Sequence, residues 1–62
     1  MTKQEYTRAM VAGESARRAG DKRHTCPAYG VSRDAQTLRE AWLSGWDDED
    51  ARIREQQARR RA

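Results

Sequence analysis

The stretch AWLSGWDDED, Ala41–Asp50, decides the fold, because it holds both tryptophans of a 62-residue chain, four positions apart, with Gly45 between them and four acids behind. A spacing of four puts two side chains on one face of an α-helix, so Trp42 and Trp46 read as an apolar stripe. Upstream, Ala35 and Leu38 extend that stripe; downstream Ile53 continues it after a gap at Glu49. Ser32 is placed to cap the start of this helix. The pattern predicts a helix over about 32–58, followed by a basic tail, 59–62.

So large a stripe needs a partner to bury it. Tyr6, Ala9, Met10, Gly13 and Ala16 recur at three- and four-residue intervals and predict a first helix over about 3–19. Thr2 can cap its start and Gly20 can end it. Gly13 inside a helix costs about 1 kcal/mol relative to Ala, so its position implies a need for space. The small residues of this face form a shallow groove for the tryptophans. The expected core is Tyr6, Met10, Gly13 and Ala16 against Leu38, Trp42, Gly45 and Trp46.

Between the helices, Gly20, Pro27 and Gly30 mark a loop over 20–31, and Pro27 biases Cys26 towards an extended backbone. No strand pattern and no repeat is present. The expected architecture is all-α: a small helix–loop–helix, or two-helix hairpin, forming one domain over 1–58.

Composition limits what such a domain can do. Only 35% of residues are hydrophobic and 37% are charged, which leaves little material to enclose a large internal active site. No apolar run reaches the roughly 20 residues of a membrane span, and no signal-peptide pattern opens the chain. Cys26 is the sole cysteine, in keeping with a reducing compartment. The expectation is a cytoplasmic protein without a membrane partner.

The net charge of +3 suits an anionic partner, and its distribution is uneven. Arg17, Arg18, Lys22, Arg23 and Arg33 cluster around one loop that also carries His24 and Tyr29, a pattern suited to phosphate contact. Tyr29 suits base stacking, a phosphate hydrogen bond or simple packing. Arg39, three positions before Trp42, can lie over an indole or reach outward to RNA. The expected RNA-binding set is Arg17, Arg18, Lys22, Arg23, Tyr29, Arg33 and Arg39.

Asp47, Asp48, Glu49 and Asp50 repel phosphate and are read in two ways. They stabilise the helix through acid-first pairs from Asp48 to Arg52 and from Asp50 to Arg54, or they form a patch for a protein partner. Chemistry finds little support. His24 and Cys26 give two metal ligands where zinc needs about four, and no Gly-rich phosphate cradle or G-x-x-x-x-G-K-[ST] loop is present. No catalytic residue, metal or cofactor is expected.

Three motifs in order, Gly13-x-x-Ala16-x-x-Ala19-Gly20, then Cys26-Pro27 with Tyr29, then Arg39-x-x-Trp42-Leu43-x-Gly45-Trp46, resemble the ribosome modulation factor family. The likeness spans Gly13 to Trp46. The chain departs from that pattern where Ala28 separates Pro27 from Tyr29 and where acids follow Trp46. The resemblance implies a helix–loop–helix protein that is not an enzyme. It would bind the small ribosomal subunit, cover its ribosomal RNA, repress translation and serve ribosome hibernation under stress. The alternatives are an interaction or inhibitor module working through the acidic patch, and a small antibiotic-modifying phosphotransferase-like protein.

Overall fold

A computed structural model describes residues 2–61; Met1 and Ala62 lie outside the described residues. Helix α1 spans Lys3–Arg18 and helix α2 spans Arg33–Arg61, with a single 3-10 turn at Arg23–Thr25 between them. The chain is all-α, with the two long helices packed against each other, as the tryptophan stripe predicts.

Both ends of α1 and the start of α2 are explained by local chemistry. The Thr2 hydroxyl accepts the Glu5 backbone N–H at 3.2 Å while the Glu5 carboxylate accepts the Thr2 N–H at 3.4 Å, a reciprocal cap at the start of α1. At its far end Gly20 takes φ 87°, a left-handed conformation suited to glycine. The Gly20 N–H reaches the Arg17 carbonyl and the Asp21 N–H reaches that of Ala16, so these two carbonyls of the last turn are satisfied. Ser32 caps α2 as expected, its hydroxyl accepting the Ala35 N–H at 3.1 Å.

The C-terminal boundary differs from expectation. Helix α2 continues to Arg61, so the described part of the expected basic tail is helical. Gln56, Gln57, Ala58 and the arginines are all good helix formers, and nothing in the sequence breaks the run before its end.

The helices touch where both are smallest. Ala9 and Ala41 are 4% and 0% exposed, and Gly13 and Gly45, each four residues further on, are buried as well. A Cβ on Gly13 would overlap the Trp42 carbonyl oxygen and lie 3.0 Å from the Trp46 nitrogen; one on Gly45 would overlap the Met10 carbonyl oxygen. The backbones are therefore in contact at this crossing. Trp42, 2% exposed, fills the core beside it, whereas Trp46 is half-buried.

Contacts climb both helices in step, from Met10 and Gly45 to Arg17 with Asp50 and Arg18 with Glu49. The connecting segment must then return along α2. It does so: the Trp46 indole N–H donates to the Asp21 carbonyl at 3.0 Å, Arg23 meets Asp47, and Gly30 comes down against Ala35. Gly30 has φ 116°, which admits the turn into α2.

Of the expected core, Gly13, Trp42 and Gly45 are buried, while Tyr6, Met10, Ala16, Leu38 and Trp46 are half-buried. The gap in the stripe at Glu49 is filled by the glutamate itself, which is 6% exposed.

Candidate nucleic-acid interface

The expected basic loop set divides into two groups. Arg17 donates from Nε to Asp50 at 2.8 Å and its guanidinium lies 5.6 Å from the centre of the Trp46 ring. Arg18 lies 3.5 Å from Glu49 and 3.7 Å from Glu14. Arg23 forms a two-pronged pair with Asp47, at 2.9 and 3.2 Å. These three arginines face acid from their own chain, which corrects the expectation of one basic cluster turned as a whole to phosphate. The acids that follow Trp46 are brought to the end of α1 because α2 runs beside it.

The other side of each pair is equally informative. Glu49 also meets Arg52 at 3.4 Å and Asp50 meets Arg54 at 2.9 Å, so each carboxylate lies between two guanidiniums. Of the two acid-first pairs expected on α2, Asp50 with Arg54 forms, and Arg52 turns to Glu49 in place of Asp48. Arg17, held directly against it, with Arg54 beyond, keeps the Asp50 carboxyl below its ordinary value. Asp48 points to solvent.

A second group lines an open depression of about 580 Å³ where the returning loop lies against α2. Its walls include His24, Cys26 and Tyr29 from the loop and Arg39 and Leu43 from α2, with Arg23 at its edge. Of the expected RNA-binding residues it unites Tyr29, Arg39 and Arg23. It does not include Lys22 or Arg33, both exposed elsewhere, nor Arg17 and Arg18. Arg39 thus faces the loop, and Arg17 takes the place over an indole.

Two neutral groups in the depression, Cys26 and Tyr29, are perturbed. Burial pushes the Cys26 thiol up, with Arg39 and Arg23 working against that shift, and burial also raises the Tyr29 hydroxyl. Both groups stay protonated near neutrality, leaving Tyr29 as a hydrogen-bond donor on an aromatic face. Pro27 holds Cys26 at φ −48° and ψ 129°, the extended bias expected of the residue before proline.

Sequence reasoning missed Ala41 and Glu49 as buried positions. The spacing Ala41-x-x-x-Gly45 against Ala9-x-x-x-Gly13 carries the first signal, since small residues four apart let helix backbones approach closely. Among the described residues, no group of three or more His, Cys, Asp or Glu could hold a metal, and no helix is long and apolar enough to cross a membrane. Comparison with protein-family models, curated proteins and solved structures gives no significant match.

Proposed function

We propose that this protein binds RNA through the loop depression and acts on the small ribosomal subunit as a hibernation-type factor, repressing translation by occupying ribosomal RNA. The observation that carries the RNA reading is the meeting of Tyr29, His24 and Arg39 in one open concavity. An aromatic face beside a guanidinium suits an unstacked base and its phosphate. Assignment of that RNA to the ribosome rests on the motif resemblance from Gly13 to Trp46.

In this reading the protein works by occupancy, with no bond made or broken. The buried Gly13 and Gly45 crossing fixes α1 on α2, and the Trp46 bond to Asp21 fixes where the return segment begins. Those contacts set the position of Tyr29 relative to Arg39.

Co-sedimentation of the full chain with purified small subunits tests the proposal. Tyr29→Ala and Arg39→Ala are each expected to weaken binding about tenfold or more, since one base stack is worth roughly 1–3 kcal/mol. Wild-type protein that stays in the supernatant at about 0.1 M salt, where phosphate contacts are strong, would dismiss the ribosome. Subunit binding unchanged in both variants would dismiss the depression.

A further inference from the structure

Helix α1 ends at Arg18, level with Glu49 and Asp50, so the last part of α2, Ala51–Arg61, extends beyond the body. At 1.5 Å per residue this projection is roughly 16 Å long. Every described residue after Ile53 on it is exposed through Arg60. Five arginines, Arg52, Arg54, Arg59, Arg60 and Arg61, stand there against Glu55 alone. The projection therefore carries +4 of a chain total of +3, and the remainder of the molecule sums to −1.

We infer that this projecting arm is a second RNA-docking element, which lays its arginines along the phosphate backbone of an RNA duplex. The inference rests on the RNA reading above and places most of its electrostatic attraction away from the depression.

The ion pairs at the base of the arm support this role. Glu49 and Asp50 have side chains only 8% and 17% exposed, whereas their arginine partners Arg52 and Arg54 are 59% and 76% exposed. The carboxylates lie beneath and the guanidiniums lie above. A guanidinium has five N–H donors, so one held by a carboxylate keeps others for phosphate. Arg59, 78% exposed, is braced in the same way by Glu55 at 2.9 Å. Bracing reduces the side-chain freedom that an arginine loses on binding.

Register adds a geometric match. Arg52 and Arg59 are two turns apart and share a row, while Arg54 lies about 200° round the helix from Arg52. Guanidiniums on two sides of the arm can meet phosphates of both strands where it lies across the wide, shallow minor groove of an RNA duplex. An acidic protein could satisfy the charge but lacks phosphates ranged along both sides of a groove.

The test uses the full chain, a 20-base-pair RNA duplex and purified small subunits, with affinity measured across salt concentrations. Arg59→Ala with Arg60→Ala should weaken duplex binding and flatten the log–log salt slope by about two units, one for each phosphate that is no longer neutralised. Its melting curve should match wild type, because neither side chain packs on the body. An unchanged slope overturns the inference, as does binding of polyglutamate as tight as that of the duplex. Tyr29→Ala and Arg39→Ala should weaken subunit binding more than duplex binding. Duplex binding by wild type without subunit binding would uphold the arm while removing the ribosome. Loss of duplex binding in the depression variants, with the arm variant unaffected, would overturn the arm alone.

Discussion

Gly13 and Gly45 each occupy a position at which a Cβ would overlap a backbone oxygen of the other helix, that of Trp42 for Gly13 and that of Met10 for Gly45. The contact explains why a glycine stands between two tryptophans. A backbone carbonyl cannot rotate aside as a side chain can, so an added methyl must push the helices apart. That separation would also open the packing of Ala9, Ala41 and Trp42.

Gly45→Ala is therefore expected to destabilise the fold although alanine is the better helix former. Helix propensity favours the change by about 1 kcal/mol, and overpacking opposes it by about 1–3 kcal/mol or more, with a rigid neighbour at the upper end. The net loss should lower the melting temperature by roughly 10 °C in a domain this small. Circular dichroism melts check it. An equal or higher melting temperature would mean that the helices do not cross here.

The two tryptophans should respond differently. Trp42, 2% exposed, leaves a cavity when truncated, and Trp42→Ala should cost about 3–5 kcal/mol, enough to unfold most of the population. Trp46 is half-buried and holds the return segment through its bond to the Asp21 carbonyl. Trp46→Phe keeps much of the apolar contact and should cost about 1 kcal/mol for the missing hydrogen bond. Denaturant titrations of both variants give the comparison, and equal losses would contradict the difference in burial.

What the sequence made legible was local. The caps at Thr2 and Ser32, the stop at Gly20, the extended backbone before Pro27 and the stripe through Trp42 all depend on neighbours within a few residues, and each appears in the structure. The pairing of Arg17, Arg18 and Arg23 with Asp50, Glu49 and Asp47 joins residues more than 20 positions apart. It follows from the return of the loop along α2, which no periodicity encodes. The same return brings Tyr29 and Arg39 into one depression. Glu49 was legible only as a break in an apolar stripe; its burial requires Arg18 from the other helix.

Acid should loosen the end of α1. Asp50 is held below its ordinary value of 3.8, first by its hydrogen bond from Arg17. A carboxyl whose folded value is depressed contributes stability that is fully present above its unfolded value and is lost as pH falls through the folded one. The melting temperature should thus hold steady from neutrality to about pH 5 and fall below about pH 4. Asp50→Asn should start lower and show a smaller drop over that window. Parallel acid profiles for the two proteins would exclude Asp50 as a source of the effect.

Cys26 should be a slow nucleophile. Its thiol is raised from an ordinary 9.0 mainly by burial, with Arg39 and Arg23 only partly opposing, so little thiolate exists at pH 7. Alkylation by iodoacetamide should be slower than for a free cysteine at neutral pH and should accelerate only above about pH 9. Cys26→Ala should retain the fold and RNA binding. Rapid labelling at pH 7 would identify an activated thiol and reopen chemistry at this site.

The neighbours Asp47 and Asp48 separate a specific effect on RNA binding from a bulk one. Asp47 grips Arg23 with both oxygens at the rim of the depression, whereas Asp48 is exposed. Both side chains of the Asp47 pair are about half-exposed, 50% for Asp47 and 55% for Arg23, so the pair contributes little to stability and its loss should barely move the melting temperature. Its effect on binding should be larger. Asp47→Asn removes a repulsive charge and releases a guanidinium beside Tyr29 and Arg39, whereas Asp48→Asn removes the same charge and releases nothing. Affinity for single-stranded RNA should therefore rise several-fold in Asp47→Asn, with a salt slope steeper by up to about one unit, and only slightly in Asp48→Asn. Adding Arg23→Ala to Asp47→Asn should remove most of the gain. Equal gains in the two single variants would mean that net charge alone governs binding. Abolished binding in Asp47→Asn would mean that the carboxylate holds Arg23 in its working position.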